Sequence, residues 1–343
     1  VRIEASSNAP HGWDAYVERH RLASSYHRAA AVAIGAQAFG LRTTYLSAHD
    51  PSGEIRGVLP LVEQSSLLFG RFLVSLPFVT YGGILADDEE ASLALAQRAA
   101  AEARERRADH LELRHTEPLG ATEMAERLDK VSMVLALPDS EQALAKQLGS
   151  KLRSQIRRAE RERLDIHWGG AECLDDFYRV FAPAMHALGT PVYARRFFDV
   201  VYQALAPVTK VLTIRMRGRI HAAAILVRHP RSMEVPWAVA SPEAKSLSIN
   251  MRMYWELLCH SIAAGAQAFD FGRSSVDSGT YRFKAQWGAQ PQQLHWHYWL
   301  PAGAPVPKLN QSNPKYARAA ALWRRMPLWC ANLVGPYLVR HLP

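Results

Sequence analysis

Apolar and polar positions along this chain switch between a helical period and a period of two, and the switches mark out its elements. Helical spacing predicts helices over residues 11–20 and 24–38, with Trp13, Tyr16 and Val17 on one face of the first and Tyr26, Ala30, Ile34 and Phe39 on one face of the second. Strand-like runs at 41–47 and 57–62 flank the turn cluster HDPSGEIR and predict an antiparallel hairpin. In LLFGRFLVSLPFVTYGGIL, Pro77 and the pair Gly82-Gly83 break the strand character, and an alanine-rich helix over 89–107 leads into a strand over 111–114. Helices are predicted over 140–164, 174–188 and near 197–205. Next come VLTIRM and HAAAILVRH as strands joined by Arg217-Gly218-Arg219, then MEVPWAVAS as an extended run, the helix SLSINMRMYWELLCHSIAAG and the strand AFDFGR.

Order and spacing suggest that one unit is built twice. A hairpin containing GVLPLV, a run ending in YGGIL, a helix and LELR succeed one another; a hairpin containing AAAILV, the run PWAVAS, a helix and FDFG repeat the order. The fold class expected is α/β (α+β), two mixed sheets flanked by helices, with a boundary near Pro138. The expected parts are 1–138, 139–305, and C-terminal helices over 306–343 that pack back on the first domain.

Composition narrows the function classes. A 343-residue chain with 48% hydrophobic and 21% charged residues is globular. Its net charge of +9 favours a phosphorylated, nucleic-acid or anionic-membrane partner. Cys173, Cys259 and Cys330 are far apart and form neither a disulfide framework nor a zinc knuckle, which points to a reducing compartment. The opening residues lack a secretory profile, and the apolar tail is broken by Arg324, Arg325, Pro327, Pro336 and Arg340. A cytoplasmic protein is expected, with peripheral contact at an anionic inner membrane face left open.

Candidate chemistry concentrates in FDFGRSSVDSGTYRFKAQWG, residues 269–288. Phe269 and Phe271 flank Asp270 in strand alternation, Gly272 turns the backbone, and Arg273 is expected at the strand end before a small, polar loop. Tyr281, Phe283, Lys284 and Trp287 follow as large groups with polar tips. On residue chemistry alone, a solvated lysine beside a packed Phe283 is the favoured reading of Lys284 and a core aromatic that of Tyr281, while a surface ion pair explains Arg273 and Asp277 as well as binding does. The run 146–163 holds seven basic residues against two acidic ones, hence +5 of the chain's +9. Within it Arg153, Arg157 and Arg161 stack at four-residue spacing, on a solvated face or under an anion. His295 and His297 share a strand face but lack a third metal ligand nearby, so packed histidines are expected and no metal. No Walker loop, GxSxG elbow or GxGxxG fingerprint is present, and RMRGRI from Arg215 only approaches the pyrophosphate loop of CoA-dependent acetyltransferases.

KLRSQIRRAERERLDI from Lys151 and GTYRFKAQWG from Gly279 together resemble the Fem-type transferases, the FemABX family. The YGG turn at Tyr81, TPVYARRFF from Thr190, FDFGRSS and HWHYWL extend the likeness over most of the chain. With NPKYARAAALWRRMPL, it looks closest to the branch associated with exosortase and PEP-CTERM exopolysaccharide systems. The resemblance implies two tandem acyl-CoA N-acyltransferase-like (GNAT-like) domains and amide formation between an acyl or aminoacyl ester and an amine on a nucleotide- or lipid-linked cell-envelope glycan precursor. Aminoacyl-tRNA is the favoured donor and acyl-CoA the alternative, each a co-substrate rather than a bound cofactor; a non-catalytic adaptor of envelope assembly is a third reading. The family's Phe-Lys pair carries over to Phe283-Lys284, with Lys284 near the acyl ester. Tyr281 and Asp277 join it as catalytic candidates; Arg273, Phe283, Tyr81, Lys151, Arg153 and Arg157 are the substrate-binding candidates.

Overall fold

The computed structural model describes residues 1–66, 70–120, 122–307 and 314–341, with side chains in the last stretch from residue 319 on. Its strands are β1 Arg2–Ser6, β2 Arg42–His49, β3 Ile55–Ser66, β4 Gly70–Val74, β5 Leu85–Ala86, β6 His110–His115, β7 Ala125–Arg127, β8 Lys130–Ala136, β9 Leu164–Gly169, β10 Thr209–Met216, β11 Arg219–Arg228, β12 Ser232–Ala240, β13 Ala268–Ser275, β14 Gln290–Gln293 and β15 His295–Trp299. The helices are α1 Trp13–Arg19, α2 Ala29–Val32, α3 Ile34–Phe39, α4 Glu89–Glu105, α5 Glu141–Gln147, α6 Ser150–Glu160, α7 Leu174–Leu188, α8 Arg195–Leu205, α9 Pro242–Ser246, α10 Ile249–Ala263, α11 Gly279–Ala285, α12 Pro314–Arg325 and α13 Leu328–Val339.

One sheet runs β1-β2-β3-β4-β6-β15-β7, with β5 beside β3. All its recorded pairings are antiparallel except β4 with β6, whose parallel register Leu73↔Leu111 is bridged by the α4 crossover. The side chain of Asp88 accepts a hydrogen bond from the Ala91 N–H at 2.8 Å and so starts α4. Ala91, Ala96, Ala99 and Ala103 then let the helix settle closely on Leu46, Leu59, Leu61, Leu73, Leu111 and Leu113. Leu95 in the same stripe is fully buried, an arrangement that stabilises by about 2 kcal/mol per such side chain. A Cβ on Gly57 in β3 would stand 2.9 Å from Leu95 Cδ1 and 3.1 Å from the Leu85 carbonyl oxygen, so a side chain there would force its neighbours to shift.

A second sheet repeats the plan in the order β14-β8-β13-β12-β11-β10-β9. The hairpin β10/β11 leads to β12, which pairs in parallel with β13 after the α10 crossover. Helix α7 lies over β11 and β12, and its Phe177 and Phe181 cluster with Phe198 of α8. The duplicated hairpin, strand, helix and parallel strand match the order expected from sequence, and the fold is the expected mixed α/β class with two sheets flanked by helices.

Packing divides the chain differently from the expected cut near Pro138. The first unit takes Val1–Val131, Gln292–Lys308 and Arg340–Pro343; the second takes Ser132–Pro291 and Leu309–Val339. The closing strand β15, expected in the second domain, pairs with β6 and β7. It is held there by the Tyr298 hydroxyl, which donates to the buried Glu112 carboxylate. Helices α12 and α13, expected against the first domain, pack on α7. His186 Nε2 of α7 hydrogen-bonds the Trp323 carbonyl at 3.0 Å. The helix expected over 140–164 is two helices, with β9 starting at its last residue: Leu148 turns extended (ψ 137°) and the Arg153 guanidinium donates to the Leu148 carbonyl at 2.6 Å, closing α5 before α6 begins. The start of NPKYARAAALWRRMPL lies outside the described residues.

Candidate functional site

Strand β13 and helix α11 position the strongest cluster in the second unit. The strand runs on through Arg273 to Ser275 instead of ending at Gly272, which sits in the left-handed region at φ 78° and keeps the strand's direction with a local kink. Ser278 caps α11 by accepting from the Tyr281 N–H at 3.1 Å. This helix places Lys284 beneath the strand, where its ammonium donates to the carbonyls of Gly272 at 2.8 Å and Arg273 at 2.9 Å. An ammonium carries three donors, and no third hydrogen bond from Lys284 is made among the described residues.

Lys284 is 8% exposed, and burial lowers its pKa to about 8 against the opposing pull of Asp270 and Glu234. These carboxyls stand on adjacent strands in direct register, Glu234 on β12 and Asp270 on β13, both buried. Asp270 accepts from the Ser132 hydroxyl at 2.6 Å and the Gly272 N–H at 2.7 Å, and Glu234 lies 2.9 Å from His229 Nε2. Burial, reinforced by Glu234, nevertheless holds the Asp270 carboxyl above its ordinary range. A desolvated cation thus lies within electrostatic reach of two desolvated acids, whose pull offsets part of its burial cost while the acids repel each other.

The remaining candidates fall into three places. Phe283 packs edge-to-face on Tyr254 at 5.0 Å, Tyr281 is half-buried on α11, and Arg273 and Asp277 are exposed on the segment before it, with Asp277 at φ 60°. Lys151 and Arg157 are exposed on α6, whose Leu152, Ile156 and Ala159 are buried. Arg153 is turned inward to the carbonyls that end α5, so the expected three-arginine stripe is reduced to Arg157 and Arg161 at the surface. Tyr81 belongs to the first unit, where it lines a pocket of ≈ 370 Å³ with Arg21, His27, Gly83, His115 and Glu117.

That pocket holds groups the sequence did not single out. Arg21 forms a two-pronged pair with Glu117 at 2.8 and 2.7 Å, and His27 Nε2 lies 3.1 Å from the Gly83 carbonyl. His115 is buried, and its pKa falls to about 3 through burial and the neighbouring His297, His27 and His295. Its Nδ1 meets Nδ1 of His297 at 3.2 Å, while Nε2 has no hydrogen-bond partner among the described residues. His295 pairs with Glu126 at 2.7 Å, so both β15 histidines have protein partners. Spacing along the chain could not reveal these contacts, because His115 and His297 are brought together only by strand pairing.

Among the described residues, one group of possible metal donors emerges: His167, Glu172 and Cys173, whose ligand atoms all lie within 4.8 Å of one another. The Gly170 N–H holds the Glu172 carboxylate at 2.8 Å. The three cysteines are free thiols.

Residues 146–285, which contain α6 and the Lys284 cluster, match the acetyltransferase (GNAT) domain family. No curated protein matches the sequence. Among solved structures, FemX aligns over 85% of this chain and 96% of its own, with a TM-score of 0.65 and 14% identity. The C-terminal domain of a protein described as a lysylphosphatidylglycerol synthetase from Agrobacterium fabrum aligns over 85% of this chain and 91% of its own, with a TM-score of 0.58 and 14% identity. A tandem GNAT protein from the clavulanic acid biosynthesis pathway covers 89% of this chain and 100% of its own, with a TM-score of 0.55 and 11% identity. At these identities the likeness is one of fold, and that fold is the tandem GNAT arrangement.

Proposed function

We propose that this protein is a Fem-like N-acyltransferase that joins an acyl or aminoacyl group to an amine on a cell-envelope or exopolysaccharide precursor, linked to nucleotide or lipid. The observation that carries the reading is the Lys284 ammonium: buried, fixed by two carbonyls and left with one donor. In ester aminolysis the amine nitrogen forms a bond to the carbonyl carbon, negative charge builds on the carbonyl oxygen, and the ester oxygen departs with the electron pair and ends with the proton that the amine nitrogen gives up. A pre-positioned cation in a dry site stabilises both oxygens. Phe283 helps seat α11 through its Tyr254 contact, and Tyr281 on this helix, with Arg273 and Asp277 on the segment before it, would orient the donor and the attacking amine.

Aminoacyl-tRNA is the donor we favour, because the exposed Lys151 and Arg157 on α6 offer phosphate contacts. Acyl-CoA is the second reading, supported by the acetyltransferase family match. The two are separated by offering labelled acetyl-CoA and labelled aminoacyl-tRNA in parallel to the purified protein with an amine-bearing muropeptide or glycan precursor. Amide product from aminoacyl-tRNA that disappears after ribonuclease treatment supports the first, and product from acetyl-CoA alone supports the second. Salt-sensitive binding of RNA with no added mass on any acceptor would mean a non-catalytic adaptor.

A further inference from the structure

The two terminal helices leave a surface that the transferase chemistry does not use. Helix α13 has two stripes at four-residue spacing, offset by half a turn. Ala331, Gly335 and Val339 are buried, and a Cβ on Gly335 would stand 2.6 Å from the Val192 carbonyl oxygen, so this face is seated against backbone. Trp329, Leu333 and Tyr337 form the opposite stripe and are 69%, 63% and 62% exposed. Val334, Leu322 on α12 and Leu188 at the end of α7 are also exposed. Among the described residues, six of the nine large exposed apolar side chains therefore lie on this one helical corner of the second unit, far more than scattered surface hydrophobics would give.

Charge identifies what covers it. No acidic residue follows Asp277 in the sequence, whereas residues 306–343 carry Lys308, Lys315, Arg318, Arg324, Arg325 and Arg340. Arg324 and Arg325 are exposed immediately before the aromatic stripe. Two copies of this corner would bring like charges together, and a basic tail without acidic residues is unlike the mixed rim of a protein interface. An apolar stripe with Trp and Tyr at its edge and arginines beside it is instead what an interfacial helix offers to lipid, its rings at headgroup level and its cations on anionic phosphates. No helix among the described residues is long and apolar enough to cross a membrane, so the contact is one of lying on the surface.

We infer that α12 and α13 dock this protein on a bilayer containing anionic phospholipid, with Trp329, Leu333 and Tyr337 inserted and Arg324 and Arg325 on the headgroups. The inference stands apart from the transferase reading, since none of these residues belongs to the Lys284 cluster. The test is sedimentation of the full chain with phosphatidylcholine vesicles, alone or mixed with phosphatidylglycerol. Wild type should sediment with the mixed vesicles only. Trp329→Ser with Leu333→Ser should weaken that partitioning at least about tenfold, since two large side chains lose their apolar burial. Arg324→Glu with Arg325→Glu should lose the preference for phosphatidylglycerol. Lys284→Met should partition as wild type. Unfolding curves matching wild type would show that the surface variants fold. Equal sedimentation of wild type and the Trp329/Leu333 variant would overturn the proposal, as would a concentration-dependent dimer abolished by that variant, which would make the stripe a self-association surface.

Discussion

Replacing Lys284 with methionine separates a catalytic ammonium from a structural one, because the structure predicts opposite sizes for the two effects. Methionine keeps most of the side-chain volume and removes the charge. Lowering the lysine pKa from 10.5 to about 8 means that burying the ammonium costs about 3 kcal/mol at neutral pH, and this cost vanishes in the variant. Against it stand two lost charge-assisted hydrogen bonds to Gly272 and Arg273, together worth about 3 kcal/mol or more, the pull of Asp270 and Glu234 being already contained in the lowered pKa. These terms nearly cancel, so Lys284→Met should change unfolding free energy by no more than about 2 kcal/mol. Removing one oxyanion donor, by contrast, lowers turnover about 10²–10³-fold. The assay is single-turnover amide formation at saturating donor, run beside urea unfolding of the same preparation. Turnover within about twofold of wild type would refute the reasoning, and so would a loss of activity that the unfolded fraction fully accounts for.

The same ammonium should shape the response to alkali: with a folded pKa near 8, below the unfolded value of 10.5, the native state binds fewer protons in that window. Its contribution to stability therefore rises with pH between about 8 and 10.5, and the difference between wild-type and Lys284→Met unfolding free energies should show that slope. His115, neutral in the fold with a pKa of about 3, makes the native state bind fewer protons between that value and 6.5; His115→Gln should flatten the loss of stability seen as pH falls through this range. Arg114 is paired with the fully buried Glu112 at 2.6 Å, so Arg114→Met should destabilise by about 3–5 kcal/mol in denaturant unfolding, having left a buried carboxylate without its cation. Gly335→Ala puts a methyl group into the Val192 backbone and should release α13, detected as faster proteolysis between residues 326 and 341 with the first unit left intact.

Local chemistry made much of the fold legible in advance. The alanine stripe of α4, the alternation of Phe269, Asp270 and Phe271, and the turn clusters between hairpin strands each constrain a few neighbouring residues, which is the range over which periodicity speaks. Helix α7 accordingly begins and ends where its pattern does. The pattern failed where a contact distant in sequence overrides it. Basic helical spacing continues past Gly149 and Glu160, yet the chain breaks at Leu148, whose extended backbone offers its carbonyl to the Arg153 guanidinium, and β9 forms because β10 supplies hydrogen-bonding partners.

The amino-acid sequence by itself determined the duplicated order of elements, the basic and acid-free character of the tail, and the segment in which Lys284 lies. Only the tertiary structure decided that β15 closes the first sheet, that Arg153 is spent on carbonyls, and that Lys284 faces Asp270 and Glu234. Those outcomes depend on which groups share one desolvated space. Burial turns an ordinary lysine into one whose pKa approaches neutrality, and strand register, which no local pattern encodes, chooses its neighbours.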